Sequence, residues 1–329
     1  MGGGAHRPGL SGALSARASA GERPFIIVAG PTASGKSALA LAIAREFDGV
    51  IVNADSMQVY RELAILTARP GQAELDAAPH RLYGVLPASE RCSAGRWRAM
   101  AMAAMAEQPA KLAIVTGGTG LYLRALRQGL SPIPDIPADV QREGAGLLAR
   151  IGAPALHREL ETLDAQTALR LQPGDSQRIL RAWLVVKATG RALSDWQREV
   201  PLADTGPCLT FTLLPPREQL YGAIDGRFRR MVEQGAIEEA RDFLTLGLDP
   251  SLPAMKAVGL RELGRMLAGE TSLETAIAAA QQETRRYAKR QITWLRHQIP
   301  EADAVNEQFS ERILPDSFAK IRHFLLTLP

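Results

Sequence analysis

Gly30, Gly35, Lys36 and Ser37 fall at the spacing G-x-x-x-x-G-K-[ST], with Pro31, Thr32, Ala33 and Ser34 filling the loop between the glycines. A loop of this kind, the nucleotide-binding type, turns its backbone N–H groups inward to cradle phosphate oxygens. Lys36 would bring a point charge to those phosphates and Ser37 a hydroxyl for Mg²⁺. The motif needs a strand before it and a helix after it, and both are present: Phe25 to Val28 is an apolar run, and Ala38 to Phe47 reads as a helix. The positive end of that helix adds to the field. A bound diphosphate or triphosphate follows. The loop does not say which, or what is done with it.

Two further polar positions sit after strand-like runs. VIVNAD, residues 50–55, ends in Asp55. That acid suits the cap of a turn, and it equally suits a base or metal ligand in a crevice. KLAIVT, residues 111–116, runs into Gly117-Gly118-Thr119-Gly120. Here a tight turn explains the glycines, and a Thr119 hydroxyl donated to a phosphate oxygen explains them as well. The strand ends in Thr116 rather than an acid, so it lacks the carboxylate a nucleotide hydrolase uses for its metal. Two basic stretches complete the chemistry. QRILR places Arg178 and Arg181 on one helix face. TRRYAKRQITWLRH, residues 284–297, interleaves Tyr287 and Trp294 with Arg285, Arg286, Lys289, Arg290 and Arg296. Cations among aromatics suit phosphate contact and base stacking; a solvated helix face with the aromatics in the core is the other reading.

The elements that must position these residues read as strands alternating with helices, with Trp97 to Gln108 as a crossover helix. That pattern predicts an α/β fold with a parallel, P-loop NTPase-like sheet. Loops after the carboxyl ends of such strands line the ligand crevice, so the phosphate loop, Asp55 and Thr119 are expected to converge. LSPIPDIP, residues 130–137, breaks regular structure. Helices are expected at Asp139 to Arg150, Pro154 to Leu163, Ala165 to Leu171 and Ser176 to Thr189, before CLTFTLL (residues 208–214) returns to strand character. Residues 130–205 therefore read as a helical insertion between two parts of one core, residues 24–129 and 206–329. Residues 1–23, rich in Gly, Ala, Ser and Arg, read as a disordered tail, with a transit peptide as the alternative.

Composition narrows the class. The 329 residues are 46% apolar and 22% charged, with a net charge of +4, as in an ordinary globular protein with a mild basic lean. No apolar run reaches membrane-spanning length, so no membrane partner is expected. Cys92 and Cys208 form no metal-ligand spacing and suit a reducing compartment.

The motifs together resemble the bacterial tRNA dimethylallyltransferase (IPP transferase) family over nearly all of Phe25 to about Gln298. They are GPTASGKS (Gly30 to Ser37), NADSMQVYR (Asn53 to Arg61), TARP (Thr67 to Pro70), PHRL (Pro79 to Leu82), GGTGLYLRAL (Gly117 to Leu126), GLSPIP (Gly129 to Pro134), DSQRILRA (Asp175 to Ala182) and KRQITWLR (Lys289 to Arg296). The resemblance implies a prenyl transfer from dimethylallyl diphosphate to N6 of the adenosine 3′ of the anticodon, in tRNAs reading codons that begin with U. It implies Mg²⁺ as cofactor, tRNA as partner, a cytoplasmic location and a monomer. By the same resemblance Asp55 is the base, and Thr119 and Arg227 (in GRFRRM) bind the diphosphate. The tRNA contacts correspond to Asp55, Ser56, Met57 and Gln58; Gln177, Arg178, Ile179, Leu180 and Arg181; Lys256, Gly259 and Arg261; and Lys289, Arg290, Gln291, Trp294 and Arg296. The insertion would grip the anticodon stem-loop.

Three positions depart from the family pattern. Leu66 stands where glycine is usual, Leu260 where tyrosine is common, and Gln141 where arginine is common, with Arg142 beside it. Other readings of the chain are an adenylate isopentenyltransferase acting on free nucleotide, a P-loop small-molecule kinase, and a non-catalytic RNA-binding module.

Overall fold

A computed structural model describes residues 23–199 and 205–328. The tail expected at residues 1–23 lies outside the described residues except for Arg23. The chain divides into two compact units, one formed by its beginning and end, the other by Gln128–Ala203.

In chain order the first unit holds β1 (Phe25–Ala29), α1 (Lys36–Glu46), β2 (Gly49–Asn53), α2 (Gln72–Ala77), β3 (His80–Arg81), α3 (Ala94–Ala106), β4 (Leu112–Gly117) and α4 (Gly120–Gln128). The second unit holds α5 (Ala138–Ile151), α6 (Ala153–Leu163), α7 (Ala165–Ala168), α8 (Ser176–Thr189) and α9 (Leu193–Arg198). The first unit resumes with β5 (Cys208–Leu213), α10 (Arg217–Glu233), α11 (Ala236–Thr245), α12 (Leu260–Leu267), α13 (Leu273–Gln298), β6 (Asp303–Val305) and α14 (Leu314–Leu326).

The strands form one six-stranded sheet in the order β3-β2-β4-β1-β5-β6, all parallel. Every residue of β1, β2 and β4 is buried, as expected of a parallel sheet covered on both faces. Alternation assigns the sides. Phe25, Ile27, Val50, Val52, Ala113 and Val115 pack with Trp97, Leu123, Leu126, Phe243 and Ile277 from α3, α4, α11 and α13. Ile26, Val28, Ile51, Leu112 and Ile114 pack with Leu39, Ile43 and Ile321 from α1 and α14. Each of the Val, Leu, Ile and Phe side chains among them contributes about 1.5–3 kcal/mol by leaving water. The sheet has two strands beyond the four apolar runs, β3 and β6. Both are too short, and too polar in His80, Arg81 and Asp303, to register as strands in the sequence.

The second unit closes its own core with Leu156, Leu160, Ala168, Ile179, Ala182 and Trp183. Asp164 is buried there, and its carboxylate accepts from the Thr167 N–H (3.0 Å) and from the Ser194 N–H and hydroxyl (3.0 and 2.8 Å), tying α9 to α7.

The neighbouring carboxyl ends of β2 and β4 approach closely. The Ala54 N–H donates to Thr116 O at 2.7 Å. A Cβ on Gly117 would lie 2.2 Å from the backbone carbon and oxygen of Ala54. Gly117→Ala should therefore force these strand ends apart and cost about 1–3 kcal/mol, read as a lower denaturation midpoint in urea with an unchanged slope.

Candidate active site

β1 delivers the phosphate loop to the carboxyl edge of the sheet. Gly35, at φ +89°, precedes α1, whose first turn holds no acid and whose N-terminal amides receive no side-chain cap. That helix end is therefore open to an anion. Ala33 also adopts a left-handed conformation, φ +65°, which costs a non-glycine residue about 1–2 kcal/mol. The loop is held from outside itself. The Thr32 N–H donates to Gln291 Oε1 at 2.9 Å, and Gln308 Nε2 donates to Ala33 O at 2.8 Å. The Lys36 ammonium folds back on Pro31 O at 3.3 Å, and Arg227 donates to the Thr32 hydroxyl. The Ser34 hydroxyl is buried without a partner among the described residues.

Asp55 follows β2. Its Oδ1 accepts the Met57 N–H at 2.9 Å, capping the turn, and the residue also lines a cavity. The turn is braced by buried Asn53, whose Oδ1 accepts the Asp55 N–H (2.8 Å) and whose Nδ2 donates to Asp55 O and Leu82 O (both 3.0 Å). Trp97 donates to Asn53 O at 2.8 Å and stacks on Tyr122. Thr119, from the loop after β4, accepts the Ser56 N–H at 2.9 Å. That bond occupies an oxygen lone pair of Thr119; in the structure its hydroxyl proton is directed at the Ser56 hydroxyl, at the looser distance of 3.3 Å. The phosphate loop, Asp55 and Thr119 thus converge, as the topology predicts.

Two spaces meet here. A cavity of about 290 Å³ is apolar along Met57, Leu66, Ile224, Phe228, Met231 and Val258, and polar where Asp55, Arg227, Lys256, Tyr287 and Arg290 enter it. A cleft of about 840 Å³ runs past Lys36, Ser37, Arg69, Arg230 and Gln308. Arg227 and Met231 line both. The electrostatics are lopsided. Burial pushes Lys36 down to about 8, opposed by the Asp55 carboxylate and aided by Arg227. Burial likewise lowers Arg227, again against the pull of Asp55. Burial and the Asp55 charge raise the Tyr287 phenol.

The residues expected to meet tRNA differ in exposure. Gln177, Arg178 and Arg181 are exposed on α8, Lys256 and Arg261 are exposed in the first unit, and Lys289, Arg290 and Arg296 are exposed on α13. Ile179 is fully buried in the core of the second unit, Leu180 packs against that core, and Gly259 is buried. Gln291 is 5% exposed, with both amide atoms engaged, since its Nε2 donates to Gly118 O at 2.9 Å. Helix periodicity turns the Ile179 side chain inward, and the Gln291 side chain faces the glycine loops. Trp294 is half-buried over Gly120, whose Cβ would lie 2.3 Å from the indole. Ser56, Met57 and Gln58 are half-buried, and Gln58 Nε2 donates to Thr67 O and Ala68 O. Arg285 is held by both oxygens of Asp225, at 2.6 and 2.8 Å, and Arg286 pairs with Glu283.

Of the departures, Leu66 needs no glycine geometry, because the left-handed position falls at Ala68, φ +52°. Leu260 is buried in the core, and Gln141 donates to Ile136 O within its own helix start. Sequence reasoning missed Gln308 and Glu239. Glu239 accepts the N–H groups of Ala64, Ile65 and Leu66 at 2.7, 2.8 and 2.8 Å, fixing the loop that lines both spaces. Neither residue belongs to a local motif that signals such a role.

Comparison with known proteins gives a single answer. The family model described as IPP transferase matches residues 58–298, and that of isopentenyl transferase matches residues 24–91. A tRNA dimethylallyltransferase of Paramagnetospirillum magneticum is 54% identical over 310 residues, covering 93% of this chain and 98% of that one. One of Rhodospirillum centenum is 54% identical over 285 residues, covering 85% and 90%. Among solved structures, the tRNA isopentenylpyrophosphate transferase of Bacillus halodurans is similar at TM-score 0.64 and 29% identity, covering 93% of this chain and 96% of that one. A eukaryotic dimethylallyltransferase described as acting on tRNA is similar at TM-score 0.80 and 25% identity, covering 93% and 80%.

An anion on the phosphate loop favours protonated Lys36, so affinity should be full below about pH 8 and fall as pH rises through that value. Calorimetric titration of inorganic pyrophosphate between pH 7 and 9.5 should show this fall in the natural protein. Lys36→Arg, charged throughout the range, should lack it.

Proposed function

The chain belongs to the IPP transferase family, and we propose that it transfers the dimethylallyl group of dimethylallyl diphosphate to N6 of the adenosine 3′ of a tRNA anticodon. The observation that carries this reading is Arg227, which lines both the phosphate-loop cleft and the apolar cavity that Asp55 enters. A diphosphate joined to a short hydrocarbon needs those two environments side by side.

In this reading the diphosphate lies on the open amides of α1 between Lys36 and Arg227, and Thr119 turns its hydroxyl from Ser56 to donate to one of its oxygens. The allylic carbon faces the cavity. The N6 nitrogen attacks that carbon, the carbon–oxygen bond to the diphosphate breaks, and pyrophosphate departs with the electron pair. Lys36 and Arg227 are in place for the charge that grows on it, which is where fixed cations lower a barrier. The N6 lone pair is delocalised into the ring, so loss of its proton matters, and Asp55 takes that proton, a contribution of roughly 10²–10⁴-fold.

The donor set suits Mg²⁺ held mainly by substrate. Ser37 offers a hydroxyl on the first turn of α1, and the described residues contain no cluster of His, Cys, Asp and Glu able to cage a metal. Mg²⁺ commonly keeps phosphate and water ligands, so Ser37 would hold it, and when bound it neutralises charge on the leaving pyrophosphate.

The adenine must leave its stack to reach the cavity. The exposed cations Lys256, Lys289, Arg290 and Arg296 in one unit, and Arg178 and Arg181 in the other, are assigned to the tRNA backbone. The helical unit is assigned to the anticodon stem-loop. No helix among the described residues is long and apolar enough to cross a membrane.

The direct test is incubation with Mg²⁺, radiolabelled dimethylallyl diphosphate, unmodified tRNA and AMP. Label in tRNA at the adenosine 3′ of the anticodon is expected; label in AMP alone would assign the chain to free nucleotides. Asp55→Asn keeps an acceptor for the Met57 N–H and removes the base. Turnover should fall roughly 10²–10⁴-fold with tRNA affinity within about twofold, and equal losses in both would sink the base assignment. Lys289, Arg290 and Arg296 changed to neutral residues should lower the slope of log affinity against log salt by up to about 0.7–0.9 per charge removed, measured by filter binding. Arg285 and Arg286, already paired, should contribute less to that slope.

A further inference from the structure

We infer that Gln291 and Gln308 are positioning residues that set the shape of the phosphate loop, and so its affinity for the donor's diphosphate, from the C-terminal part of the chain. The inference rests on the reading of that loop as the diphosphate site.

The two glutamines take neighbouring backbone groups on either side of one strained residue. The Thr32 N–H goes to Gln291 Oε1 and the Ala33 carbonyl to Gln308 Nε2, at 2.9 and 2.8 Å. Between these bonds lies Ala33 at φ +65°, a conformation that persists only where surroundings over-determine it. Neither group remains for a ligand. What they fix is the direction of the chain entering Gly35, and with it the uncapped amides at the start of α1.

Each glutamine is itself anchored or confined. Gln291 binds Gly118 O through its other atom, and a Cβ on Gly118 would lie 2.1 Å from Gln291 Nε2. It therefore sets the phosphate loop in register with the loop that carries Thr119. Thr32 passes the constraint on, because its hydroxyl accepts from Arg227. Gln308 has a buried Oε1 with no partner among the described residues. Phe309 follows, with its N–H 3.4 Å from Ser34 O and its Cβ 2.3 Å from where a Cβ on Gly35 would stand. Gln308 also lies beyond residues 58–298, the span of the IPP transferase family model.

The test uses the full chain with Gln291→Met and Gln308→Met, which keep length and remove the polar atoms. Calorimetry with inorganic pyrophosphate and Mg²⁺ should show the dissociation constant rising about tenfold or more in each. The double variant should fall short of the product, since both hold one loop. Affinity for an anticodon stem-loop RNA, read by fluorescence anisotropy, should stay within about twofold. Unchanged pyrophosphate affinity in either variant would overturn the inference. So would loss of RNA binding by Gln291→Met with pyrophosphate binding intact, which would return Gln291 to the tRNA surface. Parallel loss of both affinities with a fall in melting temperature would make these ordinary core residues and also overturn it. If the variants do not fold, amide hydrogen exchange of the natural protein decides. The Thr32 amide should be protected without ligand and unaffected by pyrophosphate, while Gly35 and Lys36 slow on binding. A Thr32 amide that exchanges freely until pyrophosphate protects it would refute the assignment. Failure of the natural protein to bind pyrophosphate at all would instead refute the reading of the loop.

Discussion

The structure depends on a charge imbalance that the protein alone does not relieve. Lys36 and Arg227 are half-buried along one space, with Asp55 as the carboxylate that opposes them. Burying a cation is costly unless something pairs with it. Asp55 sets one negative charge against two positive ones, and it already gives one oxygen to the Met57 amide. The positive charge left over suits an anion. The same imbalance explains why the first turn of α1 carries no acid of its own.

Holding that imbalance requires a rigid frame, and α13 supplies much of it. Its inward face puts Ile277, Ala280 and Leu295 in the core, Gln291 between the two glycine loops, and the Trp294 indole against Gly120. Its outward face carries Lys289, Arg290 and Arg296. A single helix thus carries exposed cations on one side and, on the other, the amide that holds the Thr32 N–H. The residue spacing of a helix makes this possible, since neighbours in sequence point to different sides.

How much of this the sequence disclosed depends on the range of the interactions. The phosphate loop was readable because strand, glycines, lysine and helix start are contiguous, and the four apolar runs became strands because both their faces are buried. Asp55 and Thr119 were readable as positions after strands, but not the bonds that brace them, which come from Asn53, Trp97 and Ser56. Gln308 and Glu239 left no trace, because their roles exist only once distant segments meet, and an isolated polar residue near a loop has many commoner explanations. The directions of the Ile179 and Gln291 side chains were not legible either. A motif groups residues by sequence, whereas a helix sorts them by face, so members of one basic segment ended up on the surface and in the interior.

The absence of an acid at the end of β4 fits the same physics. Thr116 stands there, buried, with its hydroxyl donating to Val28 O at 3.2 Å. A carboxylate at that point is what a nucleotide hydrolase uses to hold its metal and position water. A hydrolase gains from that arrangement; a transferase loses its donor to it. Here the cations gather on the phosphate side and the carboxylate stands on the cavity side, with Arg227 between them. The order of charges along the site, cation to cation to carboxylate, suits an allylic diphosphate and an amine laid out so that the leaving group goes one way and the proton the other.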